Sequence, residues 1–281
     1  MLASFTMNRS VNEVNLVFSV SDSHGRLRTD LTQSDFDLLD NQHPPAGIRY
    51  FQRHTELPLR VALLVDTSAS ITERIGFEKK AASVFLRKIL RRGMDEALVV
   101  AFDDQVRMIH DFTSDGVALE AAIRRMRPRG NTALYDAIAL ASEKLSRLTD
   151  VRVSRRVIIV ISDGLDTGSR KIFTEAQRAA LMTDAVIFCL STNDLKWGYS
   201  KGEAVLDLLS RATGGKVLRA REDYELRKAF SQVEKTLRMQ YAIGYTPANF
   251  QLDGSFHSVQ VVPRKPRLSV QCRRGYYATQ K

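Results

Sequence analysis

The chain has 281 residues, of which 44% are apolar and 26% charged, and this ordinary globular composition excludes a chain that is disordered throughout. The formal net charge is +10, but the basic residues are scattered and charge alone gives only non-specific attraction, so we do not expect nucleic acid as a partner. The apolar runs reach only about six residues, which excludes a transmembrane helix of roughly 20, and no signal peptide is visible at the N-terminus.

Residues 1–56 have the pattern of a β-rich segment. Apolar side chains alternate with polar ones over residues 14–20, which is the period of a strand with one buried face. Shorter stretches at 36–39 and 48–51 continue the pattern, with a turn containing Pro and Gly at 41–47 between them. Three strands are too few for a stable core, so this segment needs a partner elsewhere in the chain.

Strands alternate with helices over residues 57–238. The continuous β-branched run at 61–65 predicts a strand buried on both faces. Further strands are predicted at 97–102, 106–112, 157–161, 186–190 and 216–219. Helices are predicted over 115–126, with Ser114 as N-cap, and over 173–182 and 203–212. Apolar residues at helical spacing within 82–90, 134–148 and 226–237 mark three more helices. This alternation predicts an α/β fold of Rossmann-like type, a mainly parallel sheet with helices on both faces.

Residues 239–281 return to the β pattern, with strands predicted at 239–245, 256–262 and 268–273. The simplest arrangement is one small β-sandwich built from both chain ends, with the α/β domain inserted between them. The two cysteines fall in different parts of this scheme, so no disulfide framework is predicted and the redox compartment stays open.

Short loops rich in oxygen-bearing side chains follow two of the buried strands. The first loop carries a carboxylate and two hydroxyls at alternate positions, Asp66, Ser68 and Ser70. Asp163 follows the strand at 157–161, and Thr132 precedes a predicted helix. Open α/β sheets bind ligands at the carboxyl ends of their strands, so these side chains are expected at one edge. Hard oxygen donors suit Mg²⁺ or Mn²⁺ better than zinc.

Three motifs together resemble the metal-ion-dependent adhesion site of von Willebrand factor type A domains. They are Asp-x-Ser-x-Ser after an apolar strand, a Thr within Gly-Asn-Thr-Ala-Leu-Tyr-Asp-Ala, and Ser-Asp-Gly after another apolar strand. The resemblance implies one bound Mg²⁺, with Mn²⁺ or Ca²⁺ as alternatives. The ligands it implies, direct or through water, are Asp66, Ser68, Ser70, Thr132 and Asp163. The motif departs slightly from the pattern, because Ala69 stands where glycine is common and Asn131 separates Gly130 from Thr132.

Other motifs are similar to a bacterial family called the VWFA-related, acidobacterial-type domain. They lie at residues 112–115, 214–215, 241–247 and 274–277. The similarity covers nearly the whole chain, including both β-rich ends, and it implies an exported, extracytoplasmic protein. It fixes neither the partner nor the oligomeric state.

These features favour a binding module over an enzyme. The leading hypothesis is an open Mg²⁺ position that an exposed Asp or Glu of a protein partner completes. One alternative is a Mg²⁺-dependent phosphotransferase or phosphatase, which is disfavoured because Ser68 occupies the position where a second acid would serve. The other is a structural scaffold in which the metal only stabilises the fold.

Several other polar residues leave two interpretations open. Asp166 is either an outer contact of the metal or a surface carboxylate, and Asp136 either supports the Thr132 loop or is solvated. Trp197 and Tyr199 either form part of a partner-binding surface or pack against the domain. The histidines show no ligand spacing and are predicted at the surface or in loops; they are His24, His43, His54, His110 and His257.

Overall fold

The computed structural model describes residues 13–53, 57–148, 154–193 and 200–279, so the interpretations of His54, Trp197 and Tyr199 lie outside the described residues. The strands are β1 (Val14–Ser21), β2 (Phe36–Asp40), β3 (Gly47–Arg53), β4 (Leu59–Asp66), β5 (Glu96–Phe102), β6 (Val106–Thr113), β7 (Arg155–Ser162), β8 (Val186–Ser191), β9 (Val217–Arg219), β10 (Tyr241–Thr246), β11 (Phe256–Pro263), β12 (Ser269–Cys272) and β13 (Gly275–Tyr277). The helices are α1 (Ile75–Ile89), α2 (Gly116–Arg124), α3 (Leu134–Ser146), α4 (Phe173–Met182), α5 (Lys201–Thr213) and α6 (Asp223–Arg238), with short 3₁₀ turns at Gln33–Asp35 and Ala69–Ile71.

A six-stranded sheet forms the centre of the α/β part, in the order β6-β5-β4-β7-β8-β9. All neighbouring pairs are parallel except β5 with β6, which form an antiparallel hairpin at one edge. The predicted Rossmann-like α/β fold is therefore confirmed. The parallel strands also bring the carboxyl ends of β4, β7 and β8 to one edge of the sheet.

Helices cover both faces of this sheet. Alternate residues of β4 point to opposite faces, so its odd-numbered apolar residues pack with α1, α2 and α6, and its even-numbered ones pack with α3, α4 and α5. Both sets are fully buried, which explains why β4 is apolar without alternation. No helix within the described ranges is long and apolar enough to span a membrane.

The two chain ends form small antiparallel sheets that enclose one shared hydrophobic core. Their strand orders are β12-β1-β10-β3 and β13-β11-β2. In this core the rings of Phe18, Phe36, Phe51 and Tyr241 lie with centroids 5.3 to 6.3 Å apart. The expected joining of both chain ends in one β-module is thus observed, whereas the domain boundaries at residues 56/57 and 238/239 stay predictions.

His257 is buried in this β-module, so its predicted surface position is wrong. Its Nδ1 lies 2.8 Å from Oδ1 of Asp40. The other carboxylate oxygen of Asp40 accepts hydrogen bonds from the hydroxyls of Tyr245 and Tyr276, at 2.7 and 2.8 Å. His257 lies two residues before the buried Val259 and therefore on the same face of β11, so the strand period could have indicated its inward position.

Three local predictions also differ from the structure. Asp115, and not Ser114, is the N-cap of α2, because its carboxylate accepts hydrogen bonds from two backbone amides at 2.8 and 3.2 Å. The strand predicted from residue 239 begins at Tyr241, since α6 continues to Arg238. β13 was not predicted as a strand; it is a short one that pairs with β11.

Candidate metal site

The loops that carry the five predicted ligands meet at the carboxyl-terminal edge of the central sheet. Asp66 is the last residue of β4, Asp163 directly follows β7, and Thr132 lies two residues before α3. The amide of Ala69 donates to the carbonyl of Gly130 at 3.1 Å, which ties the first loop to the Thr132 loop. Residues far apart in sequence therefore occupy one region of the surface.

Asp66 is the most buried of the predicted ligands, with 1% of its surface exposed. Its Oδ1 accepts a hydrogen bond from the amide of Ser68 at 2.9 Å, and its Oδ2 accepts one from the hydroxyl of Ser162 at 2.8 Å. Burial raises the pKa of Asp66, these hydrogen bonds lower it in part, and the negative charge of Asp163 raises it again. A nearby cation would offset the cost of burying this charge.

The two serine hydroxyls of the first loop lie side by side. Oγ of Ser68 is 2.9 Å from Oγ of Ser70, and Ser68 is buried whereas Ser70 is exposed. The loop closes through a hydrogen bond from the amide of Ile71 to the carbonyl of Ser68 at 3.3 Å. Ala69 has an ordinary negative φ, so alanine in place of glycine does not strain the loop. The loop thus offers two adjacent hydroxyl oxygens next to Asp66.

Thr132 is held by the loop that follows Asp163. Its amide donates to Oγ1 of Thr167 at 3.1 Å, and its carbonyl accepts hydrogen bonds from the amides of Thr167 and Gly168, each at 2.9 Å. Its hydroxyl makes no hydrogen bond to any described residue. This hydroxyl is therefore a free oxygen donor at the edge of the sheet.

Asp163 is fixed by hydrogen bonds on both its backbone and its side chain. Its carbonyl accepts a hydrogen bond from Nδ2 of Asn193 at 2.7 Å, and its Oδ1 accepts one from the amide of Leu165 at 3.0 Å. Gly164 has a φ of +81°, which a residue with a side chain adopts only with strain. Asn193 was not identified from the sequence, because its role depends on the pairing of β7 with β8.

Gly202, in the first turn of α5, packs directly against the Asp163 loop. A Cβ at this position would lie 2.2 Å from the carbonyl oxygen of Asp163, so the Gly202→Ala variant must push the loop away. We expect it to lower the free energy of unfolding by about 1–3 kcal/mol. Urea unfolding measures this, with Gly76→Ala as the matched control, since a Cβ there meets nothing within 4 Å. Equal stability of the two variants would contradict the prediction.

Asp136 and Asp166 both organise the loop that follows Asp163. Asp136 accepts hydrogen bonds from the amides of residues 170 and 171, at 3.0 and 2.9 Å. Asp166 accepts one from the amide of Tyr135 at 3.2 Å and one from the hydroxyl of Ser169 at 2.6 Å. Asp136 therefore holds the loop that follows Asp163, and not the Thr132 loop for which it was considered; Asp166 holds the same loop.

The candidate site is poor in carboxylates. The predicted ligands comprise two carboxylates and three hydroxyls, and among the described residues no group of three or more His, Cys, Asp or Glu could hold a metal ion. A zinc site of the usual His and Cys type is therefore absent from the described part of the chain. Two carboxylates with several hydroxyls fit a hard cation such as Mg²⁺, which keeps part of its water shell.

Comparisons with known proteins agree with this architecture. Residues 61–165, from β4 to the loop after β7, match the family model for the von Willebrand factor type A domain. The structure of a von Willebrand factor type A protein from Catenulispora acidiphila is similar to 96% of this chain and 75% of its own, with 13% identity and a TM-score of 0.55. No curated protein sequence matches the chain.

Two further solved structures share the fold. An aerotolerance-related membrane protein from Bacteroides fragilis, solved with multiple mutations to serine, is 17% identical with a TM-score of 0.52, over 64% of this chain and 98% of its own. The PilB minor pilin from Streptococcus sanguinis is 13% identical with a TM-score of 0.52, over 70% of this chain. The chain spans only 63% of the length of that pilin structure. At these identities the likeness establishes the fold alone.

Proposed function

Because the chain carries a von Willebrand factor type A domain, we propose that it is a metal-ion-dependent protein-binding module of the adhesion type and not an enzyme. The observation that supports this proposal best is the meeting of three loops with hydroxyl and carboxylate oxygens at one edge of the sheet. Asp66, Ser68, Ser70, Thr132 and Asp163 would hold one Mg²⁺, with Mn²⁺ or Ca²⁺ as substitutes.

The partner would contribute an exposed Asp or Glu side chain. A site with two carboxylates and three hydroxyls leaves much of the charge of a divalent cation uncompensated, and a carboxylate from another protein can compensate it. The contact would then combine the attraction to the ion with the surrounding protein interface. The bound metal would supply this electrostatic attraction, and the chain's own residues would position it.

An extracytoplasmic location and membership of the acidobacterial-type subfamily belong to the same proposal. They rest on the motifs at residues 112–115, 214–215, 241–247 and 274–277. Two proteins with a similar fold are a minor pilin and a membrane protein, which agrees with a location at the cell surface. Fractionation of the host cells with an antibody would test this, and recovery from the cytoplasm would contradict it.

A phosphotransferase or phosphatase is disfavoured by the identity of one residue. Ser68 stands two residues after Asp66, where such an enzyme would use a second acid. The described residues also hold no cluster of three acidic or metal-binding side chains. Hydrolysis of a simple aryl phosphate with Mg²⁺, lost in Asp66→Ala, would establish the enzyme in place of the binding module.

The first test is the response of the melting temperature to metal. We expect MgCl₂ or MnCl₂ to raise the melting temperature of the wild type above its value in EDTA, since binding to the folded state alone stabilises it. Ser70→Ala should lower the metal affinity roughly tenfold, and it should therefore reduce the rise in melting temperature. Ser23→Ala removes an exposed serine of the β-module and should leave the response unchanged. An identical melting temperature of the wild type in metal and EDTA would exclude the proposed site.

The second test separates adhesion from a purely stabilising metal. The relaxation rate of water protons in the presence of bound Mn²⁺ depends on how many water molecules the ion holds. A short peptide with one glutamate should lower this rate by displacing a water molecule from the ion. The same peptide with glutamine should not. If neither peptide changes the relaxation, the metal serves a structural scaffold and not partner capture.

A further inference from the structure

Glu78 is a completely buried carboxyl group that the predicted ligand set leaves out. It lies in the first turn of α1, and none of its surface is exposed to solvent. Neither of its oxygens has a hydrogen-bond partner among the described residues. Burying a carboxylate without a partner is costly, so a glutamate in this position needs an explanation that packing alone does not give.

The charges around Glu78 connect it to the candidate metal site. Burial raises the pKa of Glu78 to about 7; the positive charge of Arg74 opposes this rise, and the negative charge of Asp66 adds to it. Hydrogen bonds make the same connection. The hydroxyl of Ser162 donates to Asp66 at 2.8 Å, and the carbonyl of Ser162 accepts from the amide of Thr192 at 3.1 Å. Arg74 only partly compensates, because it makes no hydrogen bond to Glu78 and directs its Nη1 to the carbonyl of Thr192 at 2.7 Å.

A second buried polar atom without a partner among the described residues lies just after β8. Oγ1 of Thr192 is buried and has no hydrogen-bond partner among the described residues. Thr192 lies one residue after β8, and its amide donates to the carbonyl of Ser162, which directly precedes Asp163. Arg74 joins this segment to the first turn of α1. A buried hydroxyl without a partner thus lies on a residue that is hydrogen-bonded both to Arg74 and to the neighbour of Asp163.

We infer that Glu78 is a positioning residue of the metal site, a buried negative charge that strengthens cation binding at Asp66 without being one of the five ligands. This inference rests on the proposed function and deepens it. In the absence of metal, Glu78 and Asp66 destabilise each other, and a divalent cation between the loops relieves both. The buried charge of Glu78 therefore raises the affinity for the metal, although it does not stabilise the metal-free protein.

The test compares Glu78→Gln with the wild type by calorimetric titration of Mg²⁺ and by urea unfolding in EDTA. Glutamine keeps the shape and removes the charge. We expect a roughly tenfold loss of Mg²⁺ affinity, together with a metal-free stability equal to or above that of the wild type. Glu73→Gln is the matched control, because Glu73 is an exposed glutamate five residues earlier and should change the affinity less than twofold.

Each outcome has a definite meaning. Unchanged Mg²⁺ affinity of Glu78→Gln, or an equal loss in Glu73→Gln, overturns the inference and leaves the proposed function standing. A wild type that does not bind Mg²⁺ overturns both. If Glu78→Gln does not fold, Glu78→Asp carries the test. It keeps the charge, so its affinity should stay within about threefold of the wild type even where its stability falls; a tenfold loss would overturn the inference.

Discussion

In EDTA, Asp66→Asn is expected to unfold at a higher urea concentration than the wild type, and in millimolar Mg²⁺ this order is expected to reverse. Asp66 is buried and its negative charge is repelled by that of Asp163. The neutral asparagine therefore removes an unfavourable electrostatic interaction from the metal-free protein. The gain should be about 1 kcal/mol. The amide can keep the present geometry, because its oxygen accepts from Ser68 and its nitrogen can donate to Ser162.

The reversal in Mg²⁺ follows from the loss of the anionic ligand. Removing one full negative charge from the site should weaken Mg²⁺ binding by roughly 100-fold or more. At a hundredfold excess over its dissociation constant, the ion stabilises the wild type by about 2.7 kcal/mol, which outweighs the gain of the variant. Asp30→Asn changes an exposed aspartate of the β-module and should alter neither measurement appreciably.

The crossover distinguishes a metal site from a polar cluster that only holds loops together. If Asp66 served the fold alone, the asparagine variant would be less stable than the wild type in EDTA, and Mg²⁺ would not change the difference. If Mg²⁺ stabilised both proteins equally, the ion would bind elsewhere and the five-ligand assignment would be wrong.

Much of this architecture could be predicted because it depends on local patterns. The apolar run of β4 indicates burial on both faces, and the loop after it therefore lies at the carboxyl end of a central parallel strand. The same reasoning applied to β7 predicts that Asp66 and Asp163 approach each other. In the structure, the hydroxyl of Ser162, the residue before Asp163, donates to Asp66 at 2.8 Å, which brings the two loops together.

The residues that support the site could not be predicted in this way. Asn193, Ser162 and Glu78 acquire their positions from the pairing of strands and the packing of α1 on the sheet, and none belongs to a local motif. A buried glutamate in an amphipathic helix has the same sequence pattern as an exposed one. Its burial depends on where neighbouring elements end, which the sequence of the helix alone does not contain.

Asp95 is another buried residue whose position depends on tertiary packing. Asp95→Ala is expected to lower the free energy of unfolding by about 3–5 kcal/mol. Its side chain is fully buried and accepts hydrogen bonds from the amides of Leu59 and Arg91 at 2.7 and 2.9 Å. It also accepts them from Nε of Arg91 and Nη2 of Arg238, at 3.0 and 2.6 Å. One carboxylate thus joins the start of β4, the turn after α1 and the end of α6, and alanine would remove the acceptor that these donors share.

The pH dependence gives this prediction a second measurement. Burial alone would raise the pKa of Asp95, but hydrogen bonds from Arg91, Leu59 and Arg238 outweigh it and hold the pKa below its usual range. Ionised Asp95 therefore stabilises the folded protein at neutral pH, and this contribution is lost as the pH falls below about 4 towards the folded-state pKa.

Urea unfolding at several pH values between 7 and 3 should show a steeper loss of stability for the wild type than for Asp95→Asn, because the variant lacks the group that becomes protonated. Glu143→Ala breaks an exposed helical ion pair with Arg147 and should cost less than about 1 kcal/mol at any of these pH values. A comparable loss in Glu143→Ala and Asp95→Ala would contradict the central position of Asp95. The comparison therefore decides whether this buried carboxylate or the general charge of the protein governs its stability in acid.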